Sequence, residues 1–436
     1  MHPRLASIIR QYRSSEFLQN SAVMMTGTGI SQAIPILAIP VLTRLYAPGE
    51  IGVLATFIAL FSIISVVAGG RYEFGIIMPE SDRKGRQLLY LSAALSVAAG
   101  LAMAVLVVLF GSHFVSAINS PALEPWLWLL PIAITAQGLF MAFSFGLNRN
   151  KQYRSIAIGN VTHTGSTAAI QIAGGMASWG IGGLVLGKVA GVALSALWLI
   201  TSLFRKAPGF LIRESAGDIS KTAREFSNYP KFNAPHALIT SISSNMPVIL
   251  FITYFSDAIA GFYAMAFRAC YAPVQIVSAA VGQVFGKRLA DKKHERANVR
   301  AYVIRFLWTM AGIGVLPFGV LFLAGPLVFG FILGAEWAVT GDYVRILTPY
   351  VYLLFMTQPL SYIPLLYEKQ KKALSIYLFS LALRLAAIFA GIWLNSFMVS
   401  LALYSATGVL VLLYHIYWYL SLCETGSPID ATDVQD

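Results

Sequence analysis

The sequence predicts an all-α polytopic membrane protein of about twelve transmembrane helices. Three observations predict it. Of 436 residues, 57% are hydrophobic and 11% charged, and the mean hydropathy is +0.69; a soluble domain carries roughly 25% charged residues. Apolar runs of membrane length recur along the whole chain, and a bilayer core of about 30 Å needs about 20 helical residues per crossing. Lys and Arg gather in alternate connections between those runs, the asymmetry that fixes orientation in a membrane.

The runs, in order, are 18–42, 51–70, 87–111, 126–147, 156–177, 180–204, 236–256, 258–285, 302–323, 342–365, 374–395 and 398–420. Arg4, Arg10 and Arg13 precede the first. Its apolar stretch, Ser21 to Leu42, is too long for a signal-peptide core, so it is expected to stay as a span. Segment 324–341 is apolar but interrupted by Gly, and is expected to be a surface loop, with a re-entrant path as the alternative.

The longest polar interruption, 205–235, carries Arg205, Lys206, Arg213, Lys221, Arg224 and Lys231. It divides the chain into a six-helix lobe (1–204), a basic cytoplasmic linker (205–235), a second six-helix lobe (236–423) and a polar tail (424–436) expected to be disordered. The lobes begin alike: Ile30-Ser31-Gln32-Ala33-Ile34-Pro35 returns as Ile242-Ser243-Ser244-Asn245-Met246-Pro247. Repeats of this kind are a mark of transporters, and an even number of spans per repeat relates them by an axis along the membrane normal.

With a cytoplasmic N-terminus, the inside segments are 1–17, 71–86, 148–155, 205–235, 286–301 and 366–373. They hold most of the basic residues, including Arg83-Lys84-Gly85-Arg86 and Lys371-Lys372. The opposite loops hold Arg44 and Arg345 against Glu50, Glu124, Asp257, Glu336 and Asp342. Both termini are then cytoplasmic. The net charge of +12 therefore points to topology and anionic lipid, not to nucleic acid. Cys270 and Cys423 make no disulfide framework. No phosphate-binding Gly loop, metal-spaced His/Cys cluster or nucleophile motif occurs, so no cofactor, no metal and no covalent catalysis are expected.

Three cations fall deep inside predicted spans: Lys188, Arg268 and Arg384, with no Asp or Glu at comparable depth. One such charge at the bilayer centre costs about 2.5–3.5 kcal/mol on insertion scales. Each heads a polar stripe at helical spacing. Arg268 leads Tyr271, Gln275, Ser278 and Gly282; Arg384 lies with Tyr377, Ser380, Gly391 and Asn395; Lys188 lies with Gly191, Ser195, Trp198 and Ser202. Snorkelling or hydrogen bonding to helix ends is the bland explanation. The functional one is a cationic, watered interior that binds a phosphorylated head group, for which Arg offers a bidentate fork and Lys a point charge. Candidate substrate-binding residues are Arg268, Arg384, Lys188, Tyr271, Gln275, Tyr377, Gln32 and Asn245. For Gln32 and Asn245, plain interhelical hydrogen bonds are the alternative. Gly183, Gly187 and Gly191 read first as a close helix–helix contact. Pro35, Pro40, Pro247 and Pro273 mark helices that bend or merely kink.

Several local patterns carry a family resemblance. They are Phe17-Leu18-Gln19-Asn20, Leu42-Thr43-Arg44-Leu45-Tyr46-Ala47-Pro48-Gly49-Glu50-Ile51-Gly52 and Arg71-Tyr72-Glu73-Phe74-Gly75-Ile76-Ile77-Met78-Pro79, with Asn148 to Tyr153, Tyr229-Pro230-Lys231-Phe232 and Gly261 to Arg268. In these the chain resembles the polysaccharide exporters, the Wzx-type O-antigen flippases of the multidrug/oligosaccharidyl-lipid/polysaccharide superfamily. The resemblance implies two six-helix lobes around a central cavity in a bacterial inner membrane. It implies an undecaprenyl-pyrophosphate-linked oligosaccharide, a unit of O-antigen lipopolysaccharide or a related polysaccharide, as substrate. It also implies partnership with membrane lipids, a polymerase and a chain-length regulator. Some such exporters are coupled to protons or another ion gradient; with no intramembrane carboxylate, a carboxylate-based proton relay is not expected here. A multidrug-type cation exporter would need buried acids. A polysaccharide polymerase or ligase would need a large periplasmic loop, and neither feature is present. A lipid II flippase would carry two more helices, and a membrane scaffold would leave three buried cations unexplained.

Overall fold

The computed structural model describes residues 16–210, 212, 214–295 and 298–424. Arg4, Arg10, Arg13, Arg213 and the tail beyond Glu424 lie outside the described residues. Among the described residues there is no strand. The chain forms two compact units, divided between Gly261 and Phe262.

The first unit is built from α1 (Glu16–Leu45), α2 (Pro48–Ser65), α3 (Asp82–Ala117), α4 (Leu130–Arg149), α5 (Tyr153–Met176), α6 (Ile181–Lys206), the short α7 (Ala216–Glu225) and α8 (Ala234–Tyr254). Local chemistry sets their ends. Pro48 opens α2 with φ already helical and no N–H to lose, and the Glu50 carboxylate accepts from the Ala47 N–H at 2.9 Å. Arg205 and Lys206 close α6, where a helix C-terminus favours cations. Small residues set how closely the helices approach. A Cβ on Gly191 of α6 would lie 1.9 Å from Thr167 Oγ1 and 2.8 Å from the His163 carbonyl oxygen, both on α5. Gly187 meets Gln171 in the same way, and Gly183 meets Gly174. The glycine stripe of α6 is thus the seam of the α5–α6 pair.

The second unit takes the greater part of α9 (Asp257–His294), then α10 (Val299–Leu333), α11 (Ala338–Thr357), α12 (Gln370–Trp393) and α13 (Phe397–Glu424). Segment 324–341 is not the expected loop. α10 runs through it to Leu333, bending at the non-helical Ala324 (φ −113°, ψ 15°). Pro326 restarts the helix there, because proline is preformed for a first turn. A 3₁₀ turn, Ala335–Trp337, leads directly into α11. The glycines that suggested a loop serve packing instead: a Cβ on Gly325 would be 2.6 Å from the Gly341 carbonyl oxygen. The predicted tenth span also breaks. After α11 the chain passes through a 3₁₀ turn (Gln358–Tyr362) and a single helical turn (Ile363–Leu366), then leaves at Glu368 with φ +56°.

Among the described residues, nine helices are long and apolar enough to cross a membrane, so this is a multi-pass membrane protein. α5 and α11 have the length but are more polar. They carry groups a lipid-facing helix would avoid: His163 and Gln171, Asp342 and Arg345.

The basic linker is not a loose strand. α7 lies on the start of α3. Thr222 Oγ1 donates to Gln87 Oε1 at 2.6 Å, and the Tyr72 hydroxyl to the Ala223 carbonyl at 3.0 Å. Just before α7, Glu214 accepts from Gln87 (2.8 Å), from Arg83 (3.2 Å) and from Arg86 through two nitrogens. Lys84 pairs with Glu225 at 2.7 Å.

Candidate functional site

Arg384 enters α12 in the middle of an apolar run and is only half-buried as a residue. Its guanidinium, however, lies beside two phenol rings, 4.8 Å from the centroid of Tyr350 on α11 and 5.6 Å from that of Tyr404 on α13. Both rings are buried and pack edge to face at 5.9 Å. Tyr263 of α9, also buried, joins them through the Tyr404 hydroxyl. Ring faces attract a cation, by about 2 kcal/mol when it is desolvated. The Tyr350 hydroxyl also accepts a hydrogen bond from the guanidinium. Arg384 Nε is buried and has no hydrogen-bond partner among the described residues. Leaving such a donor unpaired costs about 1–3 kcal/mol. The arrangement is a charge held beside two rings with one donor, Nε, left open.

α9 supplies the neighbouring polar groups. Tyr263, Phe267 and Tyr271 stack at successive helical turns, with centroids 6.0 and 5.1 Å apart. One turn on, Gln275 Oε1 accepts from Gln358 Nε2 at 3.2 Å. Ser278 Oγ and Gln358 Oε1 are buried without a partner among the described residues. Arg268 is half-buried on the same helix and has no ion pair among the described residues. The structure shows no contact between Arg268 and Arg384. Tyr377 is half-buried on α12, two turns before Arg384.

The other candidates belong to the first unit. Lys188 Nζ reaches His163 Nε2 at 3.4 Å and lies 5.0 Å from the centroid of Phe61. Gln32 is exposed on α1. Asn245 donates to the Ser241 carbonyl of its own helix at 2.8 Å.

Sequence reasoning missed Tyr263, Tyr350, Tyr404, Gln358 and His163, whose partners are distant in sequence. It also missed Glu73, which falls in the 71–86 connection but is only 4% exposed, 3.4 Å from Ser92 Oγ. Burial pushes its carboxyl above the ordinary value, with its own backbone, Arg71 and Ser92 pulling the other way. Gly69 makes the room: a Cβ there would lie 2.5 Å from Ser92 Oγ and 2.6 Å from Glu73 Oε2. That Gly69-Gly70 pair was the readable signal. Among the described residues there is no group of His, Cys, Asp and Glu that could hold a metal.

No curated protein matches the chain by sequence. Its fold is similar to that of a multidrug resistance MATE family transporter of the MOP superfamily in an inward-facing conformation (TM-score 0.71, 13% identity, 93% of this chain and 100% of that one). It is also similar to the lipid II flippase MurJ in an inward closed conformation (TM-score 0.66, 13% identity, 93% and 90%). A third similar structure is a MOP superfamily transporter from Pyrococcus furiosus Vc1, described as having a binding pocket of reverse polarity (TM-score 0.59, 12% identity, 94% and 96%). Residues 41–341 match the family described as polysaccharide biosynthesis protein, and the chain, matched over more than half its length, belongs to that family.

Proposed function

We propose that the protein is a flippase that moves an undecaprenyl-pyrophosphate-linked oligosaccharide, an O-antigen or related polysaccharide unit, between the leaflets of a bacterial inner membrane. The observation that carries this reading is the buried, unpartnered Nε of Arg384 beside two clamped phenol rings. A pyrophosphate oxygen would satisfy that donor, and Arg268 would supply a second cation on the same unit. Ser278, Gln275, Gln358, Tyr271 and Tyr377 offer hydroxyl and amide groups for sugars. Membership of a polysaccharide biosynthesis family fits this cargo. The folds of a lipid II flippase and of multidrug transporters fit movement rather than covalent chemistry. In this reading the remaining long helices also span, giving twelve spans with both termini cytoplasmic. The lipid arrives from a sugar-assembling step and leaves to a polymerase and chain-length regulator. A cation exporter would want a carboxylate where this unit places arginine.

The test is translocation of a fluorescent undecaprenyl-pyrophosphate oligosaccharide in proteoliposomes. Arg384→Ala and Arg268→Ala are expected to lower the rate at least tenfold, with folding checked by gel filtration. Arg384→Lys keeps the charge but loses the planar fork, and is expected to recover only part of it. Wild-type rates in both alanine variants would remove these residues from the site.

A further inference from the structure

Helices α1 and α5 run side by side and touch where small residues permit it. A Cβ on Gly27 would lie 2.5 Å from the Ala157 Cβ, and one on Gly175 would lie 2.8 Å from the Leu45 Cβ. One side of α1 turns inward: Met24 packs on the core around Ile156 and Leu199, and Ser31, Ile39 and Leu42 are buried. The other side of α1 opens with α5 into a groove of about 650 Å³. Val23, Ile30, Ile158 and Val161 make its walls, Ser166 stands toward one end, and Arg154 closes the other. Val23, Ile30 and Ile158 are exposed there, although all three are large and apolar.

The groove is apolar along its walls and basic at one end. The Ser166 hydroxyl donates to the Thr162 carbonyl of its own helix, so it offers the groove no open donor. From Arg154 to Ser166 α5 rises about 18 Å, slightly more than one leaflet of a hydrocarbon core of about 30 Å. At the basic end Arg154 is exposed, and Lys206 Nζ donates to the Oγ of the next residue, Ser155, at 2.7 Å. Lys151 and Arg205, at the same helix ends, are exposed as well. None of these four cations has an ion pair among the described residues. Arg83, Lys84, Arg86 and Arg149 of the same unit are each paired with a carboxylate. No side chain caps the start of α5, so its first N–H groups add to the positive end.

We propose that the α1–α5 groove binds one anionic phospholipid, with an acyl chain along its walls and the phosphate at Arg154. The chain covers Val23, Ile30 and Ile158. The phosphate gives the guanidinium the bidentate partner that no carboxylate of the described residues supplies. Lys206 adds a second positive charge while it stays on Ser155. A zwitterionic head would set its own ammonium against this cluster, so the site selects by charge. The lipid-linked cargo is not the occupant: its pyrophosphate is assigned to Arg384 of the other unit, and its undecaprenyl chain is far longer than the groove. That choice between lipids rests on the flippase reading; the groove and its charge do not.

Native mass spectrometry of the full chain in detergent tests it, with dioleoyl phosphatidylglycerol or dioleoyl phosphatidylcholine added at equal concentration. The wild type is expected to retain one phosphatidylglycerol about fivefold better than phosphatidylcholine. Arg154→Gln is expected to lose that preference and still take up either lipid. Thr162→Trp, which fills the groove, is expected to retain neither. Lys231→Gln, at an exposed basic residue that does not line the groove, is expected to behave as the wild type. Equal retention of the two lipids by the wild type, or an undiminished preference in Arg154→Gln, overturns the proposal. Thermal unfolding gives a second readout that needs no groove-filling variant. Phosphatidylglycerol is expected to raise the wild-type Tm and to leave that of Arg154→Gln unchanged. Glycerol 3-phosphate, the anionic head without chains, is expected to do neither; an equal rise with it would mean a phosphate site without a lipid. Undecaprenyl phosphate that displaces the bound phosphatidylglycerol at equal concentration would give the groove to the tail of the cargo, and the phospholipid proposal would fall while the flippase reading stood.

Discussion

Arg384 shows how a single charge is made tolerable in an apolar helix without a counter-ion. It lies beside the rings of Tyr350 and Tyr404, and its Nε is left for something else. Tyr350 gives the arginine both its ring and a hydrogen-bond acceptor, its hydroxyl. Tyr350→Phe is expected to lose about 1.5–3 kcal/mol with the hydrogen bond to the charged group. Tyr350→Ala is expected to lose about 3–5 kcal/mol, since the ring also fills the space against Gly408. Thermal unfolding in detergent checks both, and equal melting of the two variants would refute the stacking argument. At this scale the sequence was half legible. Isolated cations in apolar runs stand out by composition, so Lys188, Arg268 and Arg384 were visible at once. Their partners were not: Tyr350, Tyr404 and His163 look like ordinary members of greasy helices until tertiary packing brings them to a charge.

Helices are the most readable elements here, because a run of membrane length is unambiguous where a short apolar run is not. What the runs conceal is where a helix bends and how near it comes to its neighbour. Segment 324–341 was misread because its glycines were taken as interruptions. Gly325 and Gly341 in fact let two backbones touch, and Pro326 starts a helix rather than ending one. The α5–α6 seam was foreseen as a close contact, and it sets a clear expectation. Gly191→Leu must displace Thr167 and the backbone of α5, and overpacking of this kind costs about 1–3 kcal/mol. Gly312→Ala on α10, with nothing within 4 Å of the added methyl, is expected to be neutral or slightly stabilising. Thermal melts of the two side by side check the contrast. A Gly191→Leu protein as stable as Gly312→Ala would mean the seam is loose.

For the whole molecule, the basic linker is the part whose structure departs furthest from its composition. Six like charges suggested a solvated loop, yet Glu214 ties it to Arg83, Arg86 and Gln87 at the start of α3. Hydrogen bonds from Gln87 and Arg86, then Arg83, hold the Glu214 carboxyl down from 4.5 to about 2. A depressed carboxyl stabilises the structure fully above its ordinary value and progressively less as the pH falls toward its native one. The clamp is therefore expected to be intact at pH 7 and to weaken between about pH 4.5 and 2. Hydrogen exchange across 205–235 should rise over that window. In Glu214→Gln it should already be high at pH 7 and lack the acid-dependent step. An unchanged exchange rate at pH 3 would mean that the linker is held by α7 packing alone. No one-dimensional pattern could have revealed the clamp, because Glu214 and its partners are more than a hundred residues apart.

The bend at Ala324 has a consequence for the lipid around the protein. From Val299 to Leu323 a straight helix is about 37 Å long, enough to cross a hydrocarbon core of about 30 Å. Beyond the bend, Leu327 and Phe331 stand 77% and 84% exposed. A thicker bilayer would wet that greasy end with acyl chains, and a thinner one would push it toward the head groups. Reconstitution in phosphatidylcholines of stepwise longer chains should therefore find an optimum thickness, and straightening α10 with Pro326→Ala should shift that optimum toward thicker membranes.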